Sequence, residues 1–344
     1  MKSVSIVIPN WNGADLLRSY LPSVLEAKGK YPGRSEIIVV DDASTDRSVN
    51  LLMKKFPDVK LIAHQQNKGF GRACWSGALA ARYPVLMLLN SDVKVDPLFV
   101  SPLANCFEDP NVFSASPLIF DEDNEISNET ISIPYFRRGK LRYKSFPPQL
   151  LVNDKADLRH PWYTLFPLGG AVALDKERFI ALGGFDDLFE PFYYEDTDLG
   201  FRAWRRGWQC VVVPEARVTH YHQGTIARSF RKFQVKAIRK RNRLFFTWKN
   251  LTATRLLWQH IIFHLLRLCY RPFCLDGMVH VATILAIPGF NKAMRKRRAE
   301  KKETVNSEKK IFDIINSAVS ENCQLLDSNR QSKIWSRWMH FGAF

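Results

Sequence analysis

The sequence predicts an α/β protein with a buried, mostly parallel sheet and helices on both faces. Short apolar runs alternate with stretches in which apolar residues recur every three or four positions, the pattern of parallel strands joined by amphipathic helices. Polar clusters follow three of these runs directly, and ligands of such sheets bind beyond the carboxyl ends of the strands. The chain has 344 residues and is 46% hydrophobic. That composition allows a sizeable core and excludes a disordered or low-complexity protein.

The N-terminal part contains four predicted strands that alternate with three predicted helices. Each strand is a mainly apolar run, and the second helix follows a Ser-Thr-Asp capping segment at 44–46. The predicted strands are 4–8, 36–40, 59–62 and 85–89, and the helices carry the apolar residues of 16–25, 49–56 and 73–81. The polar clusters at strand ends are Asn10 and Asn12, Asp41 and Asp42, and Asn90 to Asp92.

Periodicity fades between residues 121 and 165, where four prolines are expected to break regular elements. Organised sequence resumes afterwards, so we interpret this stretch as a long excursion over the site rather than a linker. Two more strands are predicted at 211–213 and 218–222, and residues 226–300 are predicted to be helical. The sequence pattern does not define the position of residues 311–344 in the fold.

The positive charge of the chain is concentrated near its end. The net charge is +16, and residues 225–310 contain 21 Lys and Arg against 4 Asp and Glu, so the remainder is close to neutral. These cations are mixed with Phe, Trp, Leu and Ile, which is typical of an amphipathic helix at an anionic membrane surface. The alternative is an ordinary helix packed on the rest of the protein with a solvated basic face. The sequence does not favour nucleic-acid binding, since no recognised module accompanies the charge.

Compartment is indicated by the cysteines and by the lack of long apolar segments. The six cysteines show no Cys-x-x-Cys pair or zinc-site spacing and are expected to be reduced, mostly buried thiols. The sequence starts on a strand without a charged and apolar leader, and it holds no apolar run of about 18 residues. We therefore expect a cytoplasmic protein, peripheral at the inner face of the cell membrane.

Two strand ends carry candidate metal ligands. Asp92 follows the predicted strand 85–89, where a carboxylate can hold a divalent cation that bridges a pyrophosphate. The alternative is an N-cap for the next helix. His220 and His222 project to one side of an extended stretch and indicate a metal ligand or a phosphate contact, or a structural role only.

A segment rich in acids and aromatics, residues 189–202, carries the candidate base. Glu195 and Asp196 are expected in the first turn of a helix, where the dipole favours carboxylates. A carboxylate among aromatic rings can have a raised pKa and act as a base. Asp198 and Arg202 are expected to pair on the helix surface. Helix capping alone is the alternative for this cluster.

Taken together and in this order, the motifs of the chain resemble those of family-two glycosyltransferases of the GT-A fold. The resemblance covers residues 1–250 and favours the rhamnosyl- and galactofuranosyl-transferase-like branch. The motifs are VSIVIPNWN (4–12), VVDDASTD (39–46), NKGFG (67–71), LNSDV (89–93), GGA (169–171), GGFD (183–186), YEDTDL (194–199) and His220.

The resemblance implies a set of nucleotide- and donor-binding residues. Some line the nucleoside pocket, where Asp42 accepts a hydrogen bond from the N3–H of the base, and one is a basic residue near the nucleotide. Others lie at the family's Asp-x-Asp position or form a glycine loop whose backbone approaches the donor sugar closely. The set is Pro9, Trp11, Asp42, Arg72, Asn90, Ser91, Gly169 and Gly170.

The resemblance also implies catalytic and metal-binding residues. Asp196 matches the general base that deprotonates the acceptor hydroxyl, and Glu195 lies beside it. Asp92 matches the acid that holds Mg²⁺ or Mn²⁺ on the diphosphate, and His220 matches a histidine that completes the metal site in part of the family. Asn90 replaces the first acid of Asp-x-Asp. Because an amide is a poorer cation ligand than a carboxylate, metal binding would lean on Asp92, His220 and the diphosphate.

We therefore predict an inverting hexosyl- or deoxyhexosyl-transferase that uses a UDP- or dTDP-type sugar. A single base without a second nucleophile implies one displacement. The acceptor would be a glycan or lipid-linked molecule in cell-surface polysaccharide or lipopolysaccharide synthesis. The alternative is a non-catalytic nucleotide-sugar or glycan binding protein of the same fold. Residues 1–225 are the expected catalytic domain, with a nucleotide-sugar half (1–120) and an acceptor half (121–225), and residues 226–344 are the basic, mainly helical extension.

Overall fold

The predicted alternation of strands and helices is confirmed, and it forms one half of a central sheet. The computed structural model describes residues 1–127, 130–146, 161–167, 170–221, 230–270 and 277–324. The first elements are β1 (Val4–Asn10), α1 (Ala14–Lys30), β2 (Ser35–Asp41), α2 (Ser48–Lys55), β3 (Lys60–Ala63), α3 (Phe70–Ala80) and β4 (Val85–Leu89). The four strands run parallel in the order β3-β2-β1-β4. Both β1 and β4 are buried along their whole length, as their unbroken apolar runs require.

The other half of the sheet is mixed. Its elements and those that surround it are β5 (Val93–Val95), α4 (Val100–Asn105), β6 (Val112–Phe120), β7 (Ile131–Arg137), β8 (Lys140–Phe146), β9 (Trp162–Tyr163), β10 (Ala171–Asp175), α5 (Lys176–Ala181), α6 (Glu195–Arg205) and β11 (Gln209–His220). The sheet continues from β4 through β10, β6 and β11 to β5, and β10 is antiparallel to both of its neighbours. The two strands predicted at 211–213 and 218–222 are one strand, β11, whose register with β6 shifts between Val213 and Arg217.

The stretch expected to lack regular structure contains a β-hairpin, so that expectation is wrong for residues 131–146. Strands β7 and β8 pair antiparallel, with Pro134 opposite Tyr143. Proline lacks an amide hydrogen, but each strand of a two-stranded ribbon is an edge strand, where that loss is tolerated. Arg138 and Gly139 form the turn, with φ of 48° and 69°. Pro147 and Pro148 lie outside the described residues.

The described residues after the sheet form five helices, which confirms the helical prediction. They are α7 (Lys232–Asn250), α8 (Thr254–Tyr270), α9 (Met278–Ala286), α10 (Phe290–Lys302) and α11 (Glu308–Gln324). Helix α7 contacts α9, α10 and α6, and α11 contacts β7 and β9. The described helices include none that is long and apolar enough to cross a membrane.

A buried network of charges joins these helices to α6. Asp198 is 0% exposed and accepts hydrogen bonds from Arg202 Nε at 2.7 Å and from Lys249 Nζ at 2.7 Å. Lys249 also contacts Asp186 at 2.5 Å, and Lys296 lies 2.9 Å from Asp186. These cations lower the pKa of Asp186 against the effect of burial. The Asp198–Arg202 pair therefore exists as predicted but is buried, not on the helix surface. Helix α7 contacts Asp198, and the carbonyls of Leu182 and Gly184 accept hydrogen bonds from Arg202.

Candidate active site

The ends of β1 and β2 are tied together by side chains that hold the helices in place. Asn10 and Asp41 lie opposite each other in the parallel register, and Asn10 Nδ2 donates to Asp41 Oδ1 at 2.9 Å. Asp46 accepts hydrogen bonds from the backbone amides of Ala14 and Ser48, each at 2.9 Å. One carboxylate thus caps the first turns of both α1 and α2, which supports the predicted capping role of 44–46.

Asp42 anchors the loop that leads into α3. It is 3% exposed, and it accepts hydrogen bonds from the amide of Lys68 at 2.9 Å, from the amide of Gly69 at 2.7 Å and from His64 Nδ1 at 2.7 Å. His64 Nε2 lies 2.9 Å from Ser76 Oγ on α3. The amide of Lys68 also donates to the second carboxylate oxygen at 3.1 Å, so four hydrogen bonds match the about four acceptor positions of a carboxylate. A base N3–H would therefore have to share or replace one of these contacts. The sequence reasoning missed His64, although it directly follows a strand end.

The other predicted nucleoside residues lie at the same end of the sheet. Pro9 is buried in β1, opposite Val40. Trp11 lies just past the end of β1 and is 40% exposed, so its ring is open to a stacking ligand. Arg72 is on α3, with its guanidinium 3.9 Å from Asp187 Oδ2.

The two predicted metal ligands lie together although 128 positions separate them. His220 ends β11 and pairs with Val93 of β5, which begins directly after Asp92. This register places His220 Nε2 3.1 Å from Asp92 Oδ1. A side chain on Gly170 would lie 3.1 Å from the His220 ring, so the glycine lets the backbone lie against the imidazole. The backbone N–H of Asn90 donates to the backbone carbonyl of Gly170 at 2.9 Å.

The Asp92–His220 pair fits a divalent cation as part of a larger ligand set. Two donors that are each about 2.1 Å from one ion and at right angles to each other lie about 3 Å apart, close to the separation of this pair. No third His, Cys, Asp or Glu in the described parts of the chain completes a metal cluster. Diphosphate oxygens would have to supply the remaining positions. Gly169 and His222 lie outside the described residues.

Two tyrosines beside this pair were not identified from the sequence. Tyr20 of α1 and Tyr221 stack with their ring centroids 4.8 Å apart. The pKa of Tyr20 is raised by burial, by Tyr221 and by nearby carboxylates that include Asp92. The sequence assigned Tyr20 to the apolar face of a helix, and it gave no signal that two distant aromatic rings would meet there.

The predicted catalytic carboxylates open α6, as expected. Tyr193 and Tyr194, the two residues before the helix, have φ of 70° and 79°, a strained conformation for side chains of this size. Glu195 Oε2 is buried, and none of the residues that the structure describes forms a hydrogen bond with it. Burial, and then the charge of Asp196, raise the pKa of Glu195 to about 8. Asp196 Oδ1 accepts from the amide of Thr197 at 2.6 Å. Glu195 and Asp196 are thus neighbouring carboxyl groups, and Glu195 holds its proton near neutral pH.

The thiol of Cys74 is affected by carboxylates from two parts of the chain. Cys74 is fully buried in α3, and its pKa is raised by burial, by Glu195 and by Asp42. Glu195 and Asp42 therefore both lie close enough to Cys74 to affect its thiol electrostatically.

Two family models match successive parts of the chain. Glycosyl transferase family 2 matches residues 5–157, and glycosyl transferase family group 2 matches residues 155–294. Polypeptide N-acetylgalactosaminyltransferase 5 of Mus musculus is 26% identical over 219 residues, which are 60% of this chain and 23% of that relative. The chain thus spans about a quarter of the length of that curated relative.

Solved structures show the same architecture. GalNAc-T7 with UDP, GalNAc and Mn²⁺ has a TM-score of 0.64 at 18% identity, covering 93% of this chain and 57% of that one. S. aureus TarS 1–349 in complex with UDP-GlcNAc has a TM-score of 0.54 at 15% identity, covering 99% and 92%. At these identities the likeness shows the fold alone, and it confirms the predicted GT-A class. Together with the two family matches, this structural likeness supports the assignment of the chain to glycosyltransferase family 2.

Proposed function

We propose that this chain is an inverting glycosyltransferase that uses a UDP- or dTDP-type sugar. It would move a hexosyl or deoxyhexosyl residue to a glycan or lipid-linked acceptor in cell-surface polysaccharide synthesis. The observation that carries the proposal is the meeting of Asp92 and His220 at 3.1 Å. The carboxylate pair Glu195 and Asp196 lies in the first turn of α6. The family matches and the GT-A fold support the proposal.

Each group has a defined part in the transfer. Asp92 and His220 would hold Mg²⁺ or Mn²⁺, and the cation would stabilise the charge of the departing nucleoside diphosphate. Trp11 and Asp42 would bind the base. Asp196 would take the proton of the acceptor hydroxyl as its oxygen attacks the anomeric carbon from the side opposite the diphosphate. One displacement inverts that centre.

Replacing Asp196 by Asn tests the base assignment. Binding of UDP should stay within a few-fold of wild type, while turnover falls by about a hundredfold or more, as for loss of a general base. A thermal-shift screen of nucleotide sugars first identifies the donor, since a bound ligand raises stability. Asp15→Asn removes an equal charge from an exposed position on α1 and is the matched control. Near wild-type turnover in Asp196→Asn would refute the assignment. Donor binding with no turnover in the wild type would favour the binding-protein alternative.

The metal assignment has its own test. Asp92→Ala should weaken UDP binding in calorimetry when Mn²⁺ is present and change it little in chelator. Equal affinity of the wild type with and without chelator would contradict the metal role and leave the base assignment intact.

Helix α8 supports a location at an anionic membrane surface. Four apolar residues on one of its faces are exposed by more than half: Trp258, Ile262, Leu265 and Leu266. They recur at helical spacing within the basic part of the chain, so lipid contact would use both properties. The double variant Ile262→Ser, Leu265→Ser should reduce flotation with phosphatidylglycerol vesicles at low salt. Leu79→Ser, 59% exposed on α3, should not. A wild type that stays free of such vesicles would refute the location.

A further inference from the structure

The turn that leads into α6 is held by one buried side chain of α7. Asn242 is 0% exposed, and its Nδ2 group donates to the backbone carbonyls of Phe189 at 2.7 Å, Phe192 at 2.9 Å and Tyr193 at 2.9 Å. Two N–H bonds thus serve three acceptors. Residues 189–194 wrap around this amide, and the last of them directly precedes the helix.

The orientation of the Asn242 amide is fixed by its neighbour on α7. Arg241 Nε donates to Asn242 Oδ1 at 2.9 Å, so the oxygen of the amide is engaged and its nitrogen faces the turn. The Arg241 guanidinium also donates to the carbonyl of Glu190. Two adjacent residues of one helix therefore hold four backbone carbonyls of the 189–194 turn.

The backbone at the end of this turn has a conformation that large side chains disfavour. Tyr193 and Tyr194 have φ of 70° and 79°, and such a conformation persists only where the surrounding structure holds it. Besides the bond from Asn242, the guanidinium carbon of Arg239 lies 4.8 Å from the centroid of the Tyr193 ring. The contacts from α7 supply the restraint that the turn requires.

Helix α7 also holds α6 on the C-terminal side of Asp196. Asn250 Nδ2 donates to Asp198 Oδ1 at 2.8 Å, and Lys249 Nζ donates to Asp198 Oδ2 at 2.7 Å. Lys249 and Asn250 follow Asn242 by seven and eight positions, which is about two helical turns, so the three residues lie on one face of α7. In the sequence, Asp196 lies between the two segments that this face holds.

We propose that Asn242 is a positioning residue for Asp196. The inference rests on the proposed function for the role of Asp196 as the base, and on the contacts of Asn242 for the control of the turn. A general base has to lie within hydrogen-bond distance of the proton that it takes. A displacement of about 1 Å can lower the rate about a hundredfold. Asn242 contacts the turn rather than the reacting atoms, and it thereby sets where the first turn of α6 begins.

Hydrogen-exchange mass spectrometry tests whether Asn242 holds the turn. Asn242→Ala should raise exchange in residues 189–199 by about tenfold or more, because three carbonyls of the turn lose this donor. The matched control is Asn306→Ala. Asn306 is 5% exposed, and its Nδ2 donates to the carbonyl of Trp204 at 3.0 Å, near the other end of α6. This control should raise exchange in residues 203–208 and leave 189–199 unchanged.

A second variant protects the exchange test against a failure to fold. Asn242→Ser keeps one donor, so it should raise exchange in residues 189–199 less than Asn242→Ala does, and it serves alone if Asn242→Ala does not fold. Wild-type exchange of residues 189–199 in the folded Asn242 variants would overturn the proposal.

Turnover separates a positioning role from a loss of folded protein. The substrate is the UDP- or dTDP-sugar with the largest thermal shift, the acceptor is water, and release of the nucleoside diphosphate is measured where all variants are fully folded. Asn242→Ala should lower kcat by about tenfold or more and keep the calorimetric affinity for that nucleoside diphosphate within a few-fold of wild type. Asn306→Ala should keep the wild-type kcat. Unchanged kcat in Asn242→Ala, or an equal loss in Asn306→Ala, would overturn the positioning role.

The two measurements also separate this proposal from the proposed function. Near wild-type release by Asp196→Asn, or no release by the wild type, would count against the proposed function. Exchange in residues 189–199 would still decide whether Asn242 holds the turn, because that measurement needs neither substrate nor activity.

Discussion

Glu195→Gln should stabilise the protein at neutral pH. The carboxyl group is buried beside Asp196, and its pKa lies at about 8 against an ordinary value of 4.5. Above pH 4.5 the unfolded chain has lost this proton, while the folded chain retains it until about pH 8. The free energy of unfolding therefore falls as pH rises through that window. At about 1.36 kcal/mol per pH unit, the wild type loses about 3 kcal/mol by pH 7. A glutamine of similar shape carries no proton to lose, so the variant avoids this decrease.

Urea denaturation between pH 4 and 9 measures the effect. The difference in unfolding free energy between Glu195→Gln and wild type should be small near pH 4, grow through neutral pH and level off above pH 8. Glu303→Gln changes an exposed side chain and should show no such trend. A constant difference across the whole range would show that Glu195 ionises normally. The proposed proton-holding pair would then be wrong, whatever the activity of the variant.

Three other substitutions have expected results that urea denaturation checks. Lys249→Met leaves the buried Asp198 without its ammonium partner and should cost about 3–5 kcal/mol; a neutral effect would show that the network contributes little. Gly77→Ala places a methyl group 2.3 Å from the Val7 side chain and should cost about 1–3 kcal/mol by displacing α3, so unchanged stability would contradict that packing. Asp42→Asn turns an amide donor toward backbone N–H groups and should cost about 1–3 kcal/mol and weaken UDP binding; full UDP affinity would remove Asp42 from the donor site.

The parts of the fold that the sequence predicts are those in which local pattern and burial agree. Strands β1, β2 and β4 are apolar because they are covered on both faces, so a short window of sequence suffices to identify them. The strand-end clusters were equally visible, since their polar residues come directly after the apolar runs of buried strands. This is why Asp92 could be assigned to the end of a strand from the sequence alone. Glu195 was assigned to the start of a helix from the acid-rich segment 189–202, and it opens α6.

What the sequence could not supply is which distant segment covers a given face. Asp198 and Arg202 have the spacing of a surface pair, but α7 packs on Asp198 and the turn at 182–184 packs on Arg202. Pro134 disfavours a central strand, yet it fits a two-stranded ribbon because no further strand needs its amide hydrogen. The number of Lys and Arg in residues 225–310 does not depend on whether their side chains are exposed or internal, so the sequence could not separate the two cases. The structure divides them, with Lys249 inside the protein and Lys232 at its surface.

The contact of Lys249 with Asp186 and Asp198 limits how the chain can be divided into independent segments. Helix α6 carries the carboxylate pair and the buried Asp198 in its first turn. The partner ammonium is near the end of α7, 51 residues downstream of Asp198. Helices so joined belong to one cooperative unit and should open together in hydrogen exchange. The C-terminal helices are thus not an interchangeable module. Exchange of segments between related chains would have to transfer α6 and α7 as a pair.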